Sequence, residues 1–197
     1  AIMWDIYDAS GWTTMASGTH ETLNDIWGNS ARDVYIVGNN GTILHHYGQG
    51  WAPMQSNTSE DLRGVWGSAR NDVFAVGREG EILHYDGYSW TPMSSPTAQD
   101  LHGIWGSSEN DVYAVGWSRY TDNKICHYNG VSWSEMHSYG YLYALFDVWG
   151  SSNTDILAVG AGGAIFHYDG TAWFPMSSGT TSELRDVWGS SATNVFA

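Results

Sequence analysis

Lysine is nearly absent from this chain. Among 197 residues Lys124 stands alone, beside six arginines and 21 acidic residues, and the formal net charge is −14. That balance excludes the phosphate-neutralising surfaces that nucleic acids and anionic membranes demand. Cysteine is as scarce. Cys126 has no second thiol to pair with, so no intrachain disulfide can form and cysteine usage fixes no compartment. Its place in a strand pattern reads as a buried, unreactive thiol. No apolar run approaches the ~18 residues of a membrane-spanning helix, so no membrane insertion is expected. A signal-peptide pattern is missing too, and Ala1 reads either as a processed start or as a boundary within a longer chain. Neither H-x-E, H-E-x-x-H nor C-x-x-C occurs, so no metal and no cofactor are expected.

What the chain has in abundance is tryptophan and glycine, 12 and 24 residues. They are periodic. A Trp-Gly pair recurs at Trp27, Trp66, Trp105, Trp149 and Trp188, in steps of 39, 39, 44 and 39 residues. A second Trp follows at Trp51, Trp90, Trp133 and Trp173, and Trp12 holds the same place in the N-terminal fragment. One copy, Leu62 to Met93, predicts four strands: Leu62–Gly67, Asp72–Gly77, Ile82–Tyr85 and Trp90–Met93. Val73 to Val76 is an unbroken apolar run, as suits a strand covered on both faces. Asp86-Gly87 signals a hairpin, and Pro92 suits an edge that needs no outward donor.

Four-stranded units at this period predict an all-β fold, a β-propeller of four-stranded blades in one domain over residues 1–197. Blades one to four fall at about 23–54, 62–93, 101–136 and 145–176. The C-terminal piece 188–197 supplies the first two strands of a copy and residues 1–15 the last two. Five blades are therefore expected, the ring closed by N- and C-terminal strands sharing one blade. The pattern W-G-S-S-x-x-D-V-F-A-V-G followed by H-Y-D-G-x-x-W resembles bacterial propeller repeats of the BNR and YCF48-like kind. Its D-G-x-x-W turn is similar to the sialidase Asp-box but one residue shorter, and the blade number resembles tachylectin-type lectins. The resemblance implies the fold over the whole chain; propellers host many unrelated activities.

Recurrent polar residues read as structural. Asp33, Asp72, Asp111 and Asp155, with Asn194, close the turn between the first two strands. His45, His84, His127 and His167 share one strand position, and hydrogen-bonded structural imidazoles are expected there rather than ligands. The copies differ on the innermost strand. Two residues before each repeat Trp stand Asp25, Gly64, Gly103, Asp147 and Asp186. Carboxylates converging on a channel could serve a glycoside hydrolase as acid and base, or bind backbone amides and water. One residue earlier, only Arg63 and Arg185 are arginine, beside Asn24, His102 and Phe146, so no arginine triad of the sialidase kind exists.

The largest departure is in blade three. Eight residues, Trp117 to Lys124, stand where other copies have four, and the connection out of the blade is His137 to Ala144 instead of small polar residues. Antiparallel order puts both loops on one face. Trp117, Tyr120, Tyr139, Tyr141 and Tyr143, with Arg119, Asp122, Asn123 and His137, form the candidate ligand-binding patch. Flat aromatics beside polar groups suit sugar rings, and they suit protein partners equally. The leading expectation is a non-catalytic, lectin-like, carbohydrate-binding module. The rivals are a protein-interaction or structural propeller of a larger surface protein, and a hydrolase using Asp25, Asp147 and Asp186. A secreted or cell-surface setting is expected from the composition, and a bacterial one is what the repeat resemblance implies.

Overall fold

The computed structural model describes residues 3–8, 11–117, 123–136 and 143–197. It is all-β. The first hairpin pairs β1 (Met3–Asp8) with β2 (Gly11–Ala16). Four antiparallel four-stranded sheets follow, each made of strands consecutive in sequence. Blade one holds β3 (Leu23–Ser30), β4 (Asp33–Gly38), β5 (Ile43–His46) and β6 (Trp51–Met54). Blade two holds β7 (Leu62–Ala69), β8 (Asp72–Gly77), β9 (Ile82–Tyr85) and β10 (Trp90–Pro92). Blade three holds β11 (Asp100–Ser108), β12 (Asp111–Trp117), β13 (Asn123–Tyr128) and β14 (Trp133–Met136). Blade four holds β15 (Leu145–Ser152), β16 (Asp155–Gly160), β17 (Ile165–Tyr168) and β18 (Trp173–Met176). A last two-stranded sheet pairs β19 (Trp188–Ser191) with β20 (Asn194–Phe196). Among the described residues the hairpins β1–β2 and β19–β20 form separate sheets, with no strand pairing between them. Among the described residues no helix is long and apolar enough to cross a membrane.

The first strand of each copy runs further than the sequence pattern suggested, Leu62 reaching Ala69, because a bulge between Gly67 and Ala69 lets the strand bend and continue. The outer hairpin is built as the sequence implies. Asp86 Oδ1 accepts from the N–H of Tyr88 and Ser89, and Gly87 takes a φ of 92° that a side chain would strain. Asn129 and Asp169 repeat the same turn.

The core lies in the seams between blades. Tyr35, Val37 and Ile43 of blade one pack against Leu62, Val65 and Trp90 of blade two. Equivalent clusters fill the seams between blades two and three and between three and four. Each seam is locked by the Trp-Gly pair. A Cβ on Gly67 would sit 2.8 Å from the Trp27 ring, one on Gly106 2.6 Å from Trp66, one on Gly150 2.7 Å from Trp105 and one on Gly189 2.6 Å from Trp149. Each indole thus brings the outer edge of its six-membered ring against the glycine that follows the next blade's Trp, which explains why the pair recurs as a unit. Trp188 makes no such contact with Gly28 and is 60% exposed.

A polar clasp recurs inside each blade. His45, His84, His127 and His167 place Nε2 2.6, 2.6, 2.7 and 2.8 Å from Oδ1 of Asp33, Asp72, Asp111 and Asp155. Ser68, Ser107 and Ser151 donate to the other oxygen of Asp72, Asp111 and Asp155. These serines bond the carboxylate and not the imidazole, so the trio ties the first-to-second turn to the third strand and forms no nucleophile–base pair.

Candidate functional site: the central channel

One cavity of about 580 Å³ is lined by equivalent segments of five repeats. Four of them contribute the three residues before the Trp-Gly pair, from β3, β11, β15 and the stretch leading into β19, and β7 contributes Arg63 and Val65. The two positions furthest from the Trp vary between copies, while the residue just before it is always Ile or Val.

At the rim, neighbouring blades are linked side chain by side chain. Asn24 donates to the carbonyl of Leu62 at 2.7 Å and to Asn39 Oδ1 at 2.9 Å. Arg63 spans the next seam, with one guanidinium nitrogen 3.1 Å from Asp100 Oδ2 and the other 2.5 Å from His102 Nε2. Trp117 Nε1 donates to the same His102 nitrogen at 2.8 Å, and the two rings stack with centroids 6.2 Å apart. His102 meets Phe146 of blade four edge-on at 6.2 Å. Burial, followed by the Arg63 charge, pushes the His102 imidazole down to about 4. It is a neutral acceptor for two donors, with its remaining proton on Nδ1.

Below the rim sit the carboxylates. Asp25 Oδ1 accepts from Ile26 N–H and Oδ2 from Val65 N–H of the next blade, both at 2.8 Å. Asp147 Oδ2 accepts from Val187 N–H at 2.9 Å, and the N–H of Val148 also bonds this carboxylate. Each carboxylate therefore staples one blade's inner strand to the next. Where the repeat has Gly64 and Gly103 there is no room for a side chain, since a Cβ would stand 2.5 Å from the His102 carbonyl and 2.7 Å from Asp147 Cα. Burial raises Asp25 from 3.8 to about 6 against the pull of those amides, with a small push from Asp186. Burial likewise raises Asp147, to about 7, with repulsion from and a hydrogen bond to Asp186 adding to it. Asp186 is the exposed member of the three. Among the described residues none of the three is in an ion pair with Arg63 or Arg185, which hold Asp100 and Glu183 instead.

The candidate patch of blade three divides. Part of the eight-residue departure is strand: Trp117 pairs with Asn123 and Gly116 with Lys124, so the hairpin gains rungs. Trp117 faces the channel rim. Tyr143 borders a separate cavity of about 550 Å³ with Gly162–Phe166 and Pro175–Thr181. Arg119, Tyr120, Asp122, His137, Tyr139 and Tyr141 lie outside the described residues. His102 and Arg63 were not singled out as ligand-binding residues from sequence. Their signal was present in the variable position three before each Trp.

No protein-family model matches the chain, and no curated protein matches it in sequence. Solved structures do match. YCF48 bound to D1 peptide superposes with a TM-score of 0.66 at 18% identity, over 95% of this chain and 61% of that one. YCF48 from Cyanidioschyzon merolae gives 0.70 at 13%, over 94% and 67%. The WD40 β-propeller domain of Doa1 gives 0.71 at 12%, over 89% and 61%. The chain thus spans about three-fifths of the length of the first of these. At such identities the likeness defines the fold class alone: the chain is an all-β propeller of four-stranded antiparallel blades.

Proposed function

We propose that this chain is a non-catalytic binding propeller whose partner is a protein presenting basic side chains to the channel rim and the blade-three hairpin. The observation that carries this reading is the position of Trp117. It opens the longest hairpin of the repeat array and is clamped to His102 on the channel lining, so the hairpin rises from the rim itself. A partner that contacts one would cover the other. Residues Arg119, Tyr120, Asp122, Asn123, His137, Tyr139, Tyr141 and Tyr143 are proposed to extend that surface. The net charge of −14 favours a basic partner, through faster encounter and rejection of acidic competitors. A protein partner is favoured over a sugar because the Trp117 indole, the intended stacking platform, has its N–H and ring already engaged by His102. The hydrolase reading is weakened by the amides that occupy both oxygens of Asp25.

The ring proposed to carry this surface has five blades, the fifth shared between β19–β20 and β1–β2. Supporting it, five equivalent inner segments line one channel. The binding claim is tested by replacing residues 117–124 with the four-residue turn Arg78–Glu81 and titrating arginine-rich peptides by calorimetry. Micromolar binding lost in the variant, with the fold kept and the melting temperature lowered by only a few degrees for the lost Trp117–His102 bond, is the expected result. Equal binding by both chains would remove blade three from the site.

A further inference from the structure

We infer that the apolar cavity of about 350 Å³ between blade four and β19–β20 is the seat of Trp12, brought there when β2 and β1 of the same chain dock beside β20. The inference rests on the five-blade reading and names the contacts by which the fifth blade would close.

The filled seams define what a seat looks like. Between blades two and three, Phe74, Val76 and Ile82 face Leu101, Ile104 and Val112, and Trp133 fills the space between them. Its ring meets Phe74 edge-on at 6.2 Å and 78°, and its N–H points at Met93 Sδ, 3.4 Å away. Trp90 meets Tyr35 at 6.3 Å and 78°, and Trp173 meets Tyr113 at 6.3 Å and 71°. Every filled seam thus has a tryptophan from the later blade's outer strand set on the earlier blade's second strand.

Counting from the Trp-Gly pair, the same positions at the next seam are Leu157, Val159 and Ile165 facing Leu184, Val187 and Val195, with Met176 in place of Met93. All seven line the cavity. Met176 is 52% exposed, whereas Met54, Met93 and Met136 pack against their seams. What the cavity lacks is the equivalent of Cys126, Tyr128 and Trp133. In repeat register these are Asp5, Tyr7 and Trp12, and β1 pairs with β2 so that Tyr7 opposes Trp12, as Tyr128 opposes Trp133. The edge of β20 is open on the side where β8 receives β9. Copying that register sets Val195 against Tyr7 and Phe196 against Ile6. Phe196 is 64% exposed without such a neighbour.

The match breaks at one position. Asp5 falls where Cys126 is fully buried, so closure would draw a carboxylate into an apolar seam. This makes the fifth seam the weakest and gives the register a distinctive test. In the whole chain, Ile6→Cys combined with Phe196→Cys should oxidise to an intrachain disulfide in the monomer, seen by mass spectrometry. Asp5→Leu should raise the melting temperature by about 3 °C or more, and Trp12→Ala should lower it by more than that. Disulfide-linked dimers, or thiols that stay free, would overturn both the seat and the five-blade ring. An intrachain disulfide with a neutral or destabilising Asp5→Leu would overturn the seat alone and leave the ring standing.

Discussion

Replacing Asp147 by asparagine should stabilise this protein at alkaline pH and do almost nothing in acid. The carboxyl is raised from 3.8 to about 7, first by burial and further by Asp186. Between those limits the folded chain keeps a proton that the unfolded chain has released. Stability from this group is therefore complete below pH ~4 and lost as pH rises through about 7. The displacement corresponds to about 4 kcal/mol at most. Asparagine keeps one oxygen for the Val187 N–H and can donate to Asp186, so the link between blades survives without the charge, although the Val148 N–H must share that oxygen or lose its acceptor. Thermal melts of both chains from pH 4 to 8 should show the variant more stable at pH 8 by about 2–4 kcal/mol, or roughly 5–10 °C. The curves should converge near pH 4. A difference that stays constant with pH, or a less stable variant at pH 8, would refute the argument that burial of this carboxylate works against the fold at neutral pH.

Other consequences are as direct. Gly106→Ala forces a methyl into the Trp66 ring and should cost about 1–3 kcal/mol, read as a lower denaturation midpoint at unchanged slope. Trp90→Ala empties a seam in which the indole is 1% exposed, and should cost about 3–5 kcal/mol. Trp117→Phe removes one donor from His102 and should cost about 1 kcal/mol. It should also move the imidazole titration up from about 4 in a carbon-13 NMR titration; an unmoved His102 would show that the clamp is unimportant.

The architecture could be read from spacing because a blade cannot cover its own faces. The same Trp-Gly and Asp-Gly solutions recur at every seam and turn, and recurrence is visible in one dimension. The four histidines were legible as structural, yet their partners were not. Asp72 and His84 meet only because β8 and β9 pair in one particular register, which no local pattern reveals. The channel aspartates stood out as a set, and an amide-bound role was one of two open readings. Choosing it required knowing that the inner strand of the next blade turns Val65 and Val187 N–H toward them. Trp117 stood out on its hairpin, but its contact with His102 was not legible. Extra rungs at Gly116 and Trp117 carry it to the channel, where His102 from a strand 15 residues earlier receives it. Hairpin length is visible in sequence, whereas how much of it becomes strand depends on pairing energies summed across the blade.

The central claim is that this propeller recognises a basic protein segment at the channel rim. The most direct measurement is to probe an array carrying both arginine- and lysine-rich peptides and a broad glycan panel with the purified chain, at low and moderate salt. The account predicts salt-sensitive binding to the basic peptides and none to glycans. Binding confined to glycans, or to acidic peptides, would contradict it.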